Sequence, residues 1–245
     1  MQEDLFSVWN DRENTEESHA GIYVAVSGNT GAGKSTLVER LVANVKLHTA
    51  KVIGIDERAL HHPLLKLMFY NPIKYSFVVQ LNFLIQRSIM IYRWLSIGFS
   101  IIIERSHLDD PLFAEYHRSR GHISEEEYAT YVQLAALLHK SIAEPDIYVY
   151  LDVEPEISLN RLRNSEECGG RPREFPSEAV KAEYVYAWYE RYNNLYAHLC
   201  ELKRQEKRFT YTEFMKLPAT TETGVAAKTI TQSFVEIAHL RGMEL

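Results

Sequence analysis

The sequence predicts an α/β fold in which five parallel strands form one sheet flanked by helices. Two observations carry that prediction. Short, nearly continuous apolar runs alternate with longer stretches of helical periodicity, the pattern of strands buried on both faces and joined by crossover helices. The first run, Ile22-Tyr23-Val24-Ala25-Val26, leads straight into Gly28-Asn29-Thr30-Gly31-Ala32-Gly33-Lys34-Ser35-Thr36, a phosphate-binding loop of the form G-x-x-x-x-G-K-[ST] in its proper setting, strand before and helix after.

Taken in chain order, the apolar runs place strands at Ile22–Ser27, Lys51–Ile55, Ser100–Ile103 and Ile147–Leu151, with a weaker fifth at Arg208–Thr212. Helical patterns fill the intervals: Lys34–Val45, His61–Tyr70, Pro72–Leu95, Pro111–Arg120, Ser124–Ala143, Pro155–Leu162, Ser177–Leu202 and Gly224–Leu240. Ser124 with Glu127 forms a capping box that fixes one helix start, and Pro145 marks the end of the same helical segment. Asn164–Pro176 is different. It holds Arg171 and Arg173, two glycines and two prolines, follows directly on Arg163, and has almost no apolar residues. It reads either as a solvated loop or as an arginine-rich lid, about 163–176, that closes over phosphates.

A chain of 245 residues is one domain, or one domain with appendages. Residues 1–20 carry six acids against Arg12, a net −5 of the whole chain's −6, so they read as a disordered acidic tail ahead of a nearly neutral domain at 21–245. The tail is too acidic for an organelle transit peptide and lacks the apolar core of a secretory signal. A near-neutral body offers no basic face for nucleic acid. The apolar run around Trp94–Ile103 is broken by Ser96, Gly98 and Ser100 and is too short for a bilayer, so no membrane association is expected. Cys168 and Cys200 fit no metal or redox motif, and ten scattered histidines show no zinc spacing; a reducing, cytoplasmic setting is expected.

The loop's glycines let backbone N–H groups turn toward phosphate oxygens, Lys34 reaches the β and γ phosphates, and Ser35 is a ligand for Mg²⁺. In open parallel sheets ligands sit beyond the carboxyl ends of the strands, which makes the next residues informative. Asp56-Glu57-Arg58 follows the second strand, Glu104-Arg105-Ser106 the third and Asp152 the fourth. Glu104 and Asp152 each end an apolar run as a Mg²⁺-side carboxylate would, or cap the next helix. Glu57 is the best-placed base for activating a hydroxyl. A phosphate acceptor would repel that carboxylate, so an uncharged alcohol is favoured. Gln80 and Arg87 lie seven residues apart, near one helical stripe with Phe83 and Leu84 between them, and suit either a nucleobase or a half-exposed helix face. The guanine-reading N-K-x-D and the D-x-x-G motifs of regulatory GTPases are absent.

This combination resembles the deoxyribonucleoside kinases. The matching pieces are Gly28–Thr36, Glu57, Phe69-Tyr70-Asn71-Pro72, Tyr75–Phe83 with Gln80, Glu104-Arg105-Ser106, Arg120–Tyr128 and Tyr148–Glu156, in order from Ile22 to about Leu202. The resemblance implies a P-loop kinase fold and transfer of phosphate from ATP, with Mg²⁺, to the 5′-hydroxyl of a deoxynucleoside. It implies Glu57 as base, Arg105 as holder of the hydroxyl and of Glu57, Glu104 with Ser35 on the Mg²⁺ side, and Arg163, Arg171 and Arg173 as lid arginines. It puts Gln80 and Phe113 on the base. Tyr70 and a lid glutamate (Glu174, Glu166 or Glu167) fall to the 3′-hydroxyl. An arginine at 87 paired with Asp110, or with Asp109, implies purine or cytosine nucleosides over thymidine. Pro111 after Asp110, and a lid spread from Arg163 to Glu174, depart from the family pattern. Helices at Pro72–Leu95 and Ser124–Ala143 are longer and more apolar than one sheet face requires; the resemblance implies a homodimer through them, with simple core burial as the alternative. The alternatives are a nucleoside monophosphate kinase of thymidylate-kinase type and a non-catalytic nucleotide-binding module.

Overall fold

A computed structural model describes residues 20–57, 64–170 and 172–245. The acidic tail, the first residues of the segment expected to be helical from His61, and Arg171 lie outside them. The chain runs β1 (Tyr23–Gly28), α1 (Lys34–Val45), β2 (Val52–Ile55), α2 (Leu65–Tyr70), α3 (Pro72–Ser96), β3 (Ser100–Glu104), α4 (Asp110–Ser119), α5 (Glu125–His139), β4 (Ile147–Asp152), α6 (Pro155–Glu167), α7 (Glu178–Arg204), β5 (Glu213–Pro218) and α8 (Thr223–Leu240). The five strands form one sheet in the order β2-β3-β1-β4-β5, and every neighbouring pair is parallel. Register sets the ends that matter: Val26 lies beside Glu104, and Gly28 beside Leu151. The phosphate loop therefore leaves the sheet between the ends of β3 and β4.

Side-chain alternation along the strands divides the core in two. Tyr23, Ala25, Ile101, Ile103, Tyr148 and Tyr150 face α3 and α7, where Leu95, Val185, Trp188 and Tyr192 meet them. Val24, Val26, Ile102 and Val149 face α1 and α8, against Leu37, Leu41, Ile230 and Phe234. Both faces are dry, which is why the strands read as continuous apolar runs. The capping box is formed: the Ser124 hydroxyl accepts from the Glu127 amide, and the Glu127 carboxylate accepts from the Ser124 amide at 2.8 Å.

Three sequence expectations shift. The fifth strand is Glu213–Pro218, not Arg208–Thr212. The expected segment is tied down as a turn: Arg208 Nε donates to Glu144 at 2.8 Å, the Thr212 hydroxyl donates to the Pro145 carbonyl at 2.6 Å, and Phe209 has φ 59°. The actual strand is an edge strand, partly exposed along its length, so it lacks the apolar run of a buried one. Helix α5 ends at His139, short of Ala143. Helix α6 continues to Glu167, past Leu162, so Arg163 is a helical residue and the irregular connection begins at Cys168. Among the described residues, no helix is long and apolar enough to cross a membrane.

Candidate active site

Two adjoining cavities open beyond the carboxyl ends of the strands, and Thr30, Glu57 and Arg105 line both. The first is walled by the phosphate loop. Gly31 has φ 81°, and a Cβ there would lie 2.4 Å from the Ser158 carbonyl oxygen of α6. Gly33 has φ 101° at the start of α1, in the left-handed region that costs glycine least. Gly31 thus lets the loop pack tightly on α6, and Gly33 turns the chain into α1, whose positive end suits an anion. Lys34 is buried. Its ammonium donates to the Asn29 carbonyl at 2.9 Å and lies 3.5 Å from Glu104. The Ser35 hydroxyl donates to the other Glu104 oxygen at 2.8 Å. Thr30 through Thr36 line this cavity.

Of the two strand-end acids, Glu104 faces the loop. Asp152 instead pairs with Lys216 of β5 at 3.1 Å and lines neither cavity. Asn29, grouped with the phosphate-binding residues on sequence, directs its side chain elsewhere. It donates to the Val185 carbonyl of α7 at 2.7 Å and accepts from the Thr30 amide at 2.8 Å, so it braces the loop against that helix. Arg163 is tied to Glu178 at 3.0 Å and Arg173 is exposed; neither lines the phosphate cavity. Besides Arg105, an arginine that does is Arg161, which sequence reasoning missed. It donates to the Ala32 carbonyl of the loop at 3.0 Å and to the Ala219 carbonyl after β5 at 3.4 Å. Its only sequence signal was its place in the Arg161-Leu162-Arg163 triplet, one turn beyond Ser158.

The second cavity begins at Glu57, just past β2, which is salt-bridged to Arg105 Nη1. Arg105 is buried with φ 61°, a backbone strain of the kind that concentrates at functional sites. Several contacts hold it there. Its amide donates to the Val26 carbonyl at 2.9 Å, its Nε donates to the Tyr192 hydroxyl at 3.0 Å, and its guanidinium lies 4.9 Å over the Phe113 ring. Burial pushes the Tyr192 hydroxyl far above its ordinary pKa, which keeps it protonated. Phe113 in turn stacks on Trp188, with ring centres 4.1 Å apart.

Further in, the two candidate aspartates have different work. Asp109 accepts from the Ser27 hydroxyl at 2.7 Å and from the Ser106 amide at 2.8 Å, which fixes the turn after β3. Asp110 faces Arg87, with both carboxylate oxygens 3.3 Å from Arg87 Nε. Arg87 is 1% exposed, so the half-exposed reading of its helix stripe is overturned. Its Nη1 is buried and has no hydrogen-bond partner among the described residues. A guanidinium N–H at a cavity wall in that state is a donor awaiting an acceptor. Burial pushes the Asp110 carboxyl up to about 6, with Arg87 acting in the opposite direction. Gln80 is also buried and lines this cavity, its amide 3.6 Å from Met68 Sδ. Glu174 lines it as well, whereas Glu166 is engaged by Lys181 and Glu167 is exposed. Tyr70, expected at the sugar, is 58% exposed at the end of α2 and outside the cavity; its neighbour Phe69 lines the wall instead. A one-residue step on a short helix turns a side chain by about 100°, and this separates the two rings.

A deoxynucleoside kinase family model matches residues 24–232. The chain is 29% identical to a deoxyadenosine/deoxycytidine kinase of Bacillus subtilis, covering 68% of this chain and 74% of that one. It is 30% identical to a deoxyguanosine kinase of Lactobacillus johnsonii over 69% of this chain and 77% of the other. A solved structure of deoxyadenosine kinase from M. mycoides with bound dATP superposes with a TM-score of 0.67 at 20% identity, covering 87% of this chain and 100% of that one. With the phosphate loop, the adjoining cavity and a match over most of its length, the chain belongs to the deoxynucleoside kinase family and phosphorylates a deoxynucleoside with ATP.

Proposed function

We propose that the enzyme transfers the γ-phosphoryl group of ATP to the 5′-hydroxyl of deoxyadenosine, deoxycytidine or deoxyguanosine in preference to thymidine. The observation that carries the base preference is the buried Arg87–Asp110 pair lining only the second cavity. A carboxylate there accepts from an exocyclic amino group, which adenine, cytosine and guanine possess and thymine lacks. Arg87 Nη1 supplies the matching donor, and Gln80 a donor and an acceptor together. Phe113, backed by Trp188, contributes an apolar edge of the wall around the base.

Glu57 and Arg105 stand where the two cavities join, the place for the reacting hydroxyl and the γ-phosphate. Glu57 takes the hydroxyl proton while Arg105 holds both Glu57 and the incoming oxygen. Lys34 and the inward backbone amides of Gly31 to Ser35 carry the charge on the phosphate oxygens, and Glu174 receives the 3′-hydroxyl. Arg171 and Arg173 belong to the segment that would close over the phosphates. Arg163 would join them on exchanging Glu178 for phosphate.

The donor set at the loop fits Mg²⁺. Ser35 and Glu104 offer a hydroxyl and a carboxylate already turned toward each other, hard oxygen ligands that leave positions for phosphate oxygens and water. Ser35 and Glu104 would hold the ion there, and it would supply positive charge against the negative phosphate oxygens.

Two further features suit a soluble homodimer in a reducing compartment such as the cytoplasm. Helix α3 exposes Val78, Ile85, Ile89 and Tyr92 at helical spacing, and Cys168 and Cys200 are free thiols. Sedimentation is expected to give twice the chain mass, and Ile89→Glu about half of that; a wild-type monomer would remove the dimer.

The deciding experiment is a set of initial rates with ATP and each of the four deoxynucleosides, with a deoxynucleoside monophosphate as a fifth acceptor. Thymidine is expected to be slower than the best substrate by about tenfold or more in kcat/KM. Thymidine as the best acceptor would overturn the base preference. A monophosphate that outcompetes every nucleoside would overturn the acceptor class.

A further inference from the structure

The connection between α6 and α7 is closed at its base and anchored at its tip. At the base, Lys181 of α7 is salt-bridged to Glu166 of α6, both almost fully buried, and Arg163 pairs with Glu178 at 3.0 Å. At the tip Phe175 turns inward and is 8% exposed, while Arg173 and Pro176 on either side of it are exposed. Its ring centre lies 4.8 Å from that of Phe69 on α2 and 5.3 Å from that of Tyr184 on α7. Phe69 and Tyr184 also meet each other edge to face at 5.7 Å. Three rings from three separate elements thus interlock. All three, with Glu174 next to Phe175, line the second cavity. None of them lines the phosphate cavity.

We propose that Phe175 is a positioning residue that latches the lid onto the nucleoside side of the active site and seats the Glu174 carboxylate there. The inference rests on reading the second cavity as the nucleoside site. A lid held at this point is fixed by what fills the nucleoside cavity, whatever ATP does. The adjacent Glu174 is carried in with the ring, because a residue neighbouring a buried anchor has little freedom of its own. Arg173, two residues before the ring, is placed by the same anchor.

Steady-state kinetics of Phe175→Ala tests this. The nucleoside KM is expected to rise about tenfold while the ATP KM stays within about twofold, because each lost ring pair is worth a few-fold and neither pair touches the phosphate cavity. Phe175→Leu, which keeps apolar bulk, is expected to recover most of the loss and carries the same test if the alanine variant does not fold. In a Glu174→Gln background the effect of Phe175→Ala on nucleoside KM is expected to shrink, because the ring acts through that carboxylate. Equal rises in both KM values, an unchanged nucleoside KM, or full additivity with Glu174→Gln would each overturn the proposal. A wild-type enzyme that phosphorylates no nucleoside would instead overturn the reading of the cavity, so the two failures are distinguishable.

Discussion

Replacing Glu57 with glutamine is expected to lower kcat by about a thousandfold while nucleoside KM stays within about threefold. Glutamine keeps the size of the side chain and an oxygen that still accepts from Arg105, so the wall of the cavity is preserved. What it loses is the capacity to hold the proton that leaves the hydroxyl as the new P–O bond forms. Arg105 stays in place through Tyr192, Phe113 and its own amide bond to Val26, so the change is confined to proton transfer. Glu57 is partly open to solvent, its side chain 21% exposed, but Arg105 is buried, so losing the counter-charge also lowers stability and kcat is compared on the folded enzyme. Initial rates at saturating ATP and nucleoside read the result. A variant with kcat within tenfold of wild type would take the base assignment away from Glu57.

The parts of this molecule legible in the sequence are those governed by local rules. The phosphate loop and the boundaries of α1 follow from glycine placement and an amphipathic stripe, and the capping box at Ser124 from two side chains three residues apart. Glu57, Glu104 and Arg105 were legible because a parallel sheet delivers its strand ends to one side. What was illegible depends on tertiary partners. Whether Asp109 or Asp110 meets Arg87 turns on one residue of helical phase, decided when Ser27 and Ser106 claim Asp109. Asp152 was removed from the site by Lys216, a residue on the edge strand that the sequence misplaced. Arg161 sits in an ordinary helical pattern, and only the packing of α6 on Gly31 turns it toward the loop. Phe175 lies in a stretch whose glycines, prolines and arginines read as solvated, and its anchorage comes from rings far away in sequence.

Asp110→Asn is expected to reduce kcat/KM for the amino-bearing nucleosides by about a hundredfold and for thymidine much less, so that the preference narrows or reverses. The substitution exchanges the carboxylate proposed to face the exocyclic amino group for an uncharged amide with one weaker acceptor oxygen, and leaves the Arg87 guanidinium buried without a counter-charge, at a cost of about 3 kcal/mol in stability. Loss of recognition and loss of stability are separable by pH. The Asp110 carboxyl is raised from 3.8 to about 6 by burial, so below pH 6 the wild-type site takes up a proton that removes its charge and weakens it as an acceptor. Nucleoside KM is therefore expected to climb as pH falls below about 6 in the wild type and to remain flat in Asp110→Asn. The stability term has the opposite sign. A carboxyl whose pKa is higher folded than unfolded binds its proton more tightly in the folded state, so its contribution is full below 3.8 and is lost as pH rises through about 6. Acid thus weakens nucleoside binding while this group's share of folding stability increases, so titration of Asp110 raises KM without unfolding the enzyme. Parallel KM and thermal-melt profiles between pH 5 and 8 distinguish the two. A wild-type nucleoside KM that does not change across pH 6, or an Asp110→Asn enzyme with unaltered base preference, would remove Asp110 from base recognition.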